Sequence, residues 1–194
     1  QGKVLFDGAP SDTIEKYIKN STEKTNNKII KKIKDRNDRK GDQKLRIIDI
    51  KFFDKKNEEI TECISGEFLE IRFFYESSND LNNQNFNFGV TLINSGFNKV
   101  AMFENDEMGT VFQKFKKKGY ISLKINKLNL RSGRYFIDFS AREGVRGHGW
   151  RHIDEMRSAK ELIVNTGDFW KTGINNYPGD YALFESSMKK IDVE

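Results

Sequence analysis

Cysteine is almost missing from this chain of 194 residues. Cys63 stands alone, which excludes an internal disulfide and a cysteine-built zinc site and agrees with a reducing compartment. Long apolar runs are missing as well. Nothing approaches the roughly 20 residues that a membrane-spanning helix needs, and the opening Q-G-K-V-L-F-D-G lacks the charged and apolar regions of a signal peptide. A soluble, cytoplasmic chain is expected. Because it starts at Gln1 rather than Met, a piece of a longer protein is expected too.

Catalytic signatures are equally scarce. There is no G-x-x-x-x-G-K-S/T phosphate loop, no G-x-G-x-x-G turn after a strand and no G-x-S-x-G elbow. The chain is therefore read as non-catalytic and without a cofactor. His148 and His152 lie four residues apart near Glu143 and Asp154, but with no third strong ligand they read as loop histidines rather than a metal site. The adjacent acids Asp106-Glu107 and Asp154-Glu155 read as solvated turn residues, not as glycosidase carboxylates.

Charge of one sign is concentrated in one place. Between Ser21 and Lys44, nine Lys or Arg face four Asp or Glu, which accounts for the whole formal charge of +5. An Asn-rich, aromatic-free segment of that kind reads as a solvated basic linker, with a brief helix where Ile29, Ile30 and Ile33 share a face. No nucleic-acid partner is inferred from it. Upstream, residues 3–6 suggest a short strand and residues 10–19 a helix, with Pro10 in its first turn, an Asp12/Glu15 capping pair and an apolar stripe of Ile14, Tyr17 and Ile18.

From Leu45 onward the chain alternates with period two. Ile48, Ile50 and Phe52 alternate first; residues 60–64 form a short second strand; Leu69, Ile71, Phe73 and Tyr75 form the core face of a long third. Phe86, Phe88, Val90 and Leu92 follow an Asn-rich loop and lead into a hairpin with residues 99–104. Ile121, Leu123 and Ile125 come next, and Leu162 and Val164 close the series. Between them stands Leu130-x-x-Gly133-x-Tyr135, a turn whose tyrosine packs inward while its hydroxyl bonds upstream backbone, the corner of an antiparallel β-sandwich. Tyr135, Ile137 and Phe139 continue inward from it.

Residues on the opposite faces are the binding candidates. They are Arg72 and Phe74 on the long strand, Thr91 on its expected neighbour, and Phe136, Asp138, Ser140 and Arg142 after the corner. Arg, carboxylate and hydroxyl groups bond directionally to a hydroxyl-rich ligand, and an aromatic ring packs on the C–H face of a sugar. The alternative is an ordinary solvent face with cross-strand ion pairs, the exposed aromatics then contacting another chain. The loop after Arg142 adds His148 and Trp150. Two readings stand for Trp150: a ligand contact, or the first residue of a short helix to Arg157 in which Ile153 and Met156 cap the core.

Three segments in order carry a resemblance. Residues 2–17 (G-K-V-L-F-D-G-A-P-S-D-T-I-E-K-Y) resemble the closing strand, turn and helix of an ABC nucleotide-binding domain. Residues 64–75 (I-S-G-E-F-L-E-I-R-F-F-Y) resemble a G-E-x-L-x-I-x-x-x-Y strand, and residues 130–139 (L-R-S-G-R-Y-F-I-D-F) an L-x-x-G-x-Y strand. Together they are similar to the C-terminal half of Wzt-type proteins, the ATPase subunits of transporters that export O-antigen polysaccharide. The resemblance implies an all-β, immunoglobulin-like antiparallel sandwich with a short N-terminal strand-helix segment and a linker. It implies a homodimer that binds the polysaccharide, at its non-reducing end, and meets a transmembrane permease through the nucleotide-binding domain, peripheral at the inner membrane. The rival is a dimerisation or regulatory sandwich without a sugar.

The segments expected are 1–20, the end of the nucleotide-binding domain; 21–44, the linker; 45–165, the sandwich; and 166–194, a tail. The tail resembles the family only loosely. Its Phe169, Trp170, Tyr177, Tyr181 and Phe184 are expected to dock on the sandwich or, by strand exchange, on a partner subunit. Site positions do not transfer residue by residue, so the candidate sites rest on strand facing.

Overall fold

The computed structural model describes residues 32–145 and 148–190, without the side chains of residues 82–84. The strand-helix expected over residues 3–19, the first part of the linker, Arg146 and Gly147 lie outside the described residues. The expected β-sandwich is present. Its strands are β1 (Leu45–Phe53), β2 (Glu59–Ile60), β3 (Glu62–Ile64), β4 (Leu69–Ser77), β5 (Leu81–Asn94), β6 (Lys99–Glu104), β7 (Phe112–Phe115), β8 (Lys118–Ile125), β9 (Gly133–Gly144) and β10 (Trp150–Asn165). One sheet has the order β2-β1-β4-β8; the other runs β3-β10-β9-β5-β6, with β7 also on β5. All pairings are antiparallel except β3 with β10, which is parallel.

Alternation decides the core. Leu69, Ile71, Phe73 and Tyr75 from β4 face Phe86, Phe88, Val90 and Leu92 from β5 and Tyr135, Ile137, Phe139 and Ala141 from β9, all buried in one apolar cluster. Phe73 meets Phe88 edge-on at 5.0 Å, and Phe88 stacks on Phe139 at 6.2 Å. Each such side chain contributes roughly 1.5–3 kcal/mol relative to exposure. The corner is also as expected: Tyr135 is fully buried and its hydroxyl donates to the Arg131 carbonyl at 2.9 Å, with Gly179 O at 3.3 Å. Burial pushes its pKa up.

Four details depart from the sequence reading. A bulge between Ile47 and Asp49 puts Leu45, Ile47, Ile50 and Phe52 inside and leaves Ile48 half-buried. The segment 60–64 is not one strand: β2 joins β1 while β3 crosses to β10. The proposed helix after Trp150 is instead β10, in which Ile153 and Met156 are core residues. The described part of the linker is mostly exposed, but a few of its side chains are anchored in the sandwich. Ile33, in a 3-10 turn at Ile33–Asp35, is buried, and so are Arg36 and the Arg39 side chain.

Asp154 explains much of that docking. It is fully buried rather than on a solvated turn, and its Oδ2 accepts from Arg39 Nη1 at 2.7 Å and from the Ile47 amide at 2.7 Å. Arg39 Nη2 also donates to the carbonyls of Ile33 and Ile47. One carboxylate thus ties β10, β1 and the incoming segment together. The tail docks by backbone: Leu130 bridges Ala182, Arg131 N–H donates to Tyr181 O and Leu183 N–H to Asn129 O. Phe169 and Leu183 are buried, whereas Trp170, Tyr177, Tyr181 and Phe184 stay exposed.

Asp154→Ala should destabilise the domain by about 3–5 kcal/mol, because it strands a buried guanidinium, and the double change R39M/D154L should recover most of that loss. Urea unfolding decides it; a single-variant cost under about 1 kcal/mol would show that the pair is dispensable. Tyr135→Phe should cost about 1 kcal/mol and speed hydrogen exchange at the Leu183 amide, with a tail unaffected by the change arguing against the corner as its anchor.

Candidate functional site

The outer face of the six-stranded sheet carries an open groove of ≈ 520 Å³ across β6, β5, β9 and β10. Its floor follows from strand register. Gly89 on β5 lies beside Ser140 on β9, which lies beside Glu155 on β10, and on the other side Gly89 pairs with Glu104 on β6. Two small residues therefore sit between two carboxylates. Neighbouring rows supply Thr91 with Asp138, and Arg142 with His152.

Glu104 occupies the space that Gly89 leaves open: a Cβ there would lie 2.5 Å from Glu104 Oε1. From that position the carboxylate receives Arg142 Nη2, and the Arg142 guanidinium lies 4.7 Å over the Trp150 ring. Burial nevertheless holds Glu104 above the usual carboxylate range, outweighing Arg142. On the far side, His152 Nδ1 meets Glu155 Oε2 at 2.8 Å. Ser140 Oγ and Arg142 Nε are buried with no hydrogen-bond partner among the described residues.

Asp138 is held by an irregularity of β10. Met156 pairs with Phe139 and Lys160 with Ile137, so Arg157, Ser158 and Ala159 all stand opposite Asp138. Ser158 takes a left-handed φ of 45°, and its amide donates to Asp138 Oδ1 at 2.6 Å. Burial raises the Asp138 pKa, and that amide, Arg157 and Lys99 pull against it.

Of the nine residues expected to touch ligand, Thr91, Asp138, Ser140, Arg142 and Trp150 line this groove. The others do not. Arg72 and Phe74 lie on β4, whose outer face belongs to the opposite sheet. Arg72 there bonds Glu70 and Asn57 and stacks 3.8 Å from the Phe53 ring centroid, while Phe74 packs on Tyr120 at 5.5 Å. Phe136 is not an exposed aromatic: it is 4% exposed, flanked in register by Ile93 on β5 and Glu161 on β10. His148 is an exposed loop residue outside the groove. Glu104, Gly89, Phe97, His152 and Glu155 were missed. Strand pairing alone could have found Glu104 and Gly89, since they share a row of the β5/β6 hairpin.

The described residues contain no cluster of His, Cys, Asp and Glu able to hold a metal ion. Cys63 is buried, and its thiol pKa is pushed up to about 12 by burial. The arrangement suits reversible recognition of polar groups against an aromatic ring.

The profile of the Wzt C-terminal domain matches residues 36–177. A solved crystal structure of the C-terminal domain of wzt shares the fold, with a TM-score of 0.62 and 12% identity over 80% of this chain and 90% of that one. No curated protein matches the chain.

Gly89→Ala should drive Glu104 off the sheet and separate it from Arg142, seen as a changed Arg142 Nε resonance, while an unchanged resonance would refute the crowding. Asp138 gives a pH signature. Its raised pKa means that its favourable contribution is fully present below the unfolded value and is lost as pH rises through the folded one. Asp138→Asn should therefore match wild type in acid and equal or exceed its stability at neutral pH; denaturation curves showing the reverse order would overturn this.

Proposed function

The chain belongs to the Wzt C-terminal domain family, a non-catalytic domain family of ABC transporter subunits, and on that premise we propose that its groove binds the O-antigen polysaccharide for export. The observation that carries the proposal is a pair of buried, unpartnered polar atoms, Ser140 Oγ and Arg142 Nε, on two residues that line an open groove beside the Trp150 ring. Buried polar atoms of that kind cost free energy until something bonds them. Sugar hydroxyls serve both, as acceptor for Arg142 and as either partner for Ser140, while the ring's C–H face packs on Trp150. A groove of this size holds one or two sugar residues, in keeping with recognition of a chain end.

The groove's charges support a neutral glycan. Arg142 is spent on Glu104, and Glu155 on His152 with Lys40 at 3.8 Å. The domain then works at the cytoplasmic side of the inner membrane, joined through an upstream nucleotide-binding domain to a permease, and without nucleic acid as a partner. No helix among the described residues is long and apolar enough to cross a membrane. A homodimer is part of the proposal: Tyr177 and Phe184 are 85% and 76% exposed, a surface that a second subunit would cover.

Calorimetry with O-antigen polysaccharide of the source strain tests the reading. Arg142→Ala and Trp150→Ala should each weaken binding roughly tenfold or more, whereas Arg72→Ala and Phe74→Ala, on the opposite sheet, should not. Affinity should hold between about 0.05 and about 0.5 M salt, because no net charge is exchanged. Absence of heat with the native glycan, together with a dimer that dissociates on mutating the tail aromatics, would favour a dimerisation module instead.

A further inference from the structure

Arg36 lines no part of the groove, yet its guanidinium is spent on the groove's wall. Nη1 donates to the Ser158 carbonyl at 2.6 Å and Nη2 to the Arg157 carbonyl at 2.8 Å. Nε and Nη2 also hold both oxygens of Asp38, at 3.0 and 2.9 Å. The side chain is 1% exposed. Its two carbonyl partners belong to the three residues that bulge out opposite Asp138, and the Ser158 amide is held from the other end by the Asp138 carboxylate. The Ser158 peptide region is therefore clamped twice, by a groove residue through its N–H and by Arg36 through its carbonyl.

The segment continues as an extra rung on the same strand. Lys40 and Glu155 exchange both backbone hydrogen bonds, at 3.1 and 2.9 Å, and Glu155 is a groove residue. Residues 36–40 thus hold the part of β10 that forms one side of the groove. Without the fork, the left-handed Ser158 keeps only the Asp138 hydrogen bond and the burial of Ala159 to fix it, since a bulge takes no regular ladder bonds.

We propose that Arg36 is a positioning residue for the groove: acting through the Arg157–Ser158 peptide groups, it fixes Asp138 and couples ligand binding to the segment entering the sandwich. This rests on the reading that the groove binds glycan. Lysine cannot replace the fork, because one ammonium cannot reach two carbonyls and two carboxylate oxygens in one plane. The coupling is reciprocal, so a bound glycan must tighten residues 36–40 as much as they tighten the groove.

The experiment uses the 194-residue chain with O-antigen polysaccharide of the source strain. Arg36→Met should bind roughly tenfold more weakly and Arg36→Lys about two- to threefold more weakly, measured on folded protein by calorimetry. In wild type, glycan should slow hydrogen exchange at the Arg36 and Lys40 amides, which the ligand does not touch; this readout stands even if Arg36→Met does not fold. Wild-type binding with an unchanged Arg36→Met affinity, or with unchanged exchange at those two amides, overturns the positioning role while leaving the glycan reading intact. No binding by wild type overturns the glycan reading and this inference with it.

Discussion

The Asp154 carboxylate is the point from which the rest of the molecule is fixed. Apolar contact between two sheets sets how closely they pack but is non-directional, so it tolerates sliding. A buried carboxylate is not tolerant in that way. Asp154 Oδ2 must find both the Arg39 guanidinium and the Ile47 amide, and it does so only at one setting of β10 against β1. The cost is visible in both partners. Burial raises the Asp154 pKa and lowers that of Arg39 although each charge favours the other. A pair that costs this much desolvation contributes less to stability than to uniqueness of arrangement.

Three register shifts around this pair turn the geometry into a site. In β1, the shift after Ile47 frees its amide for Asp154. In β10, a shift at His152/Asp154 turns the chain so that Ile153 and Asp154 are both buried, and the second shift presents Arg157 and Ser158 to the groove. An unbroken strand would alternate strictly and give a flat polar face. The irregular strand instead lends one wall to a cavity whose floor is kept low by Gly89 and Ser140.

How far the sequence carried this differs by level. The fold was legible because alternation in β4, β5 and β9 is regular and the L-x-x-G-x-Y corner has one structural meaning. Strand facing also placed Thr91, Asp138, Ser140 and Arg142 on one face correctly. It failed where facing was correct but sheet membership was not: Arg72 and Phe74 point outward, but from the other sheet, and pairing between distant strands leaves no local trace. Phe136 failed for another reason, since an outward position is not an exposed one: it is buried with Ile93 and Glu161 beside it on the neighbouring strands. Arg36, Arg39 and Asp154 were invisible because polar residues in charged runs read as solvated until their partners are known.

The two outer faces show what separates a structural polar cluster from a binding one. On the four-stranded sheet, Glu70 accepts from both Arg72 and Ser122 and stays below the usual carboxylate range, chiefly through Arg72. Arg72 in turn bonds Asn57 through the same Nη2 and lies flat on Phe53, leaving its Nε buried without a partner. The ring of Phe53 fills the space beside that guanidinium. On the six-stranded sheet, Glu104 and Arg142 are joined, yet burial keeps Glu104 above its usual range, and Arg142 Nε and Ser140 Oγ are left buried without partners on residues that line an open groove. Each face thus leaves an arginine Nε without a partner, and the difference is the cavity: on the four-stranded sheet a ring covers the guanidinium, and where Gly89 and Ser140 leave a floor, a ligand can lie against the residues that carry the orphaned atoms.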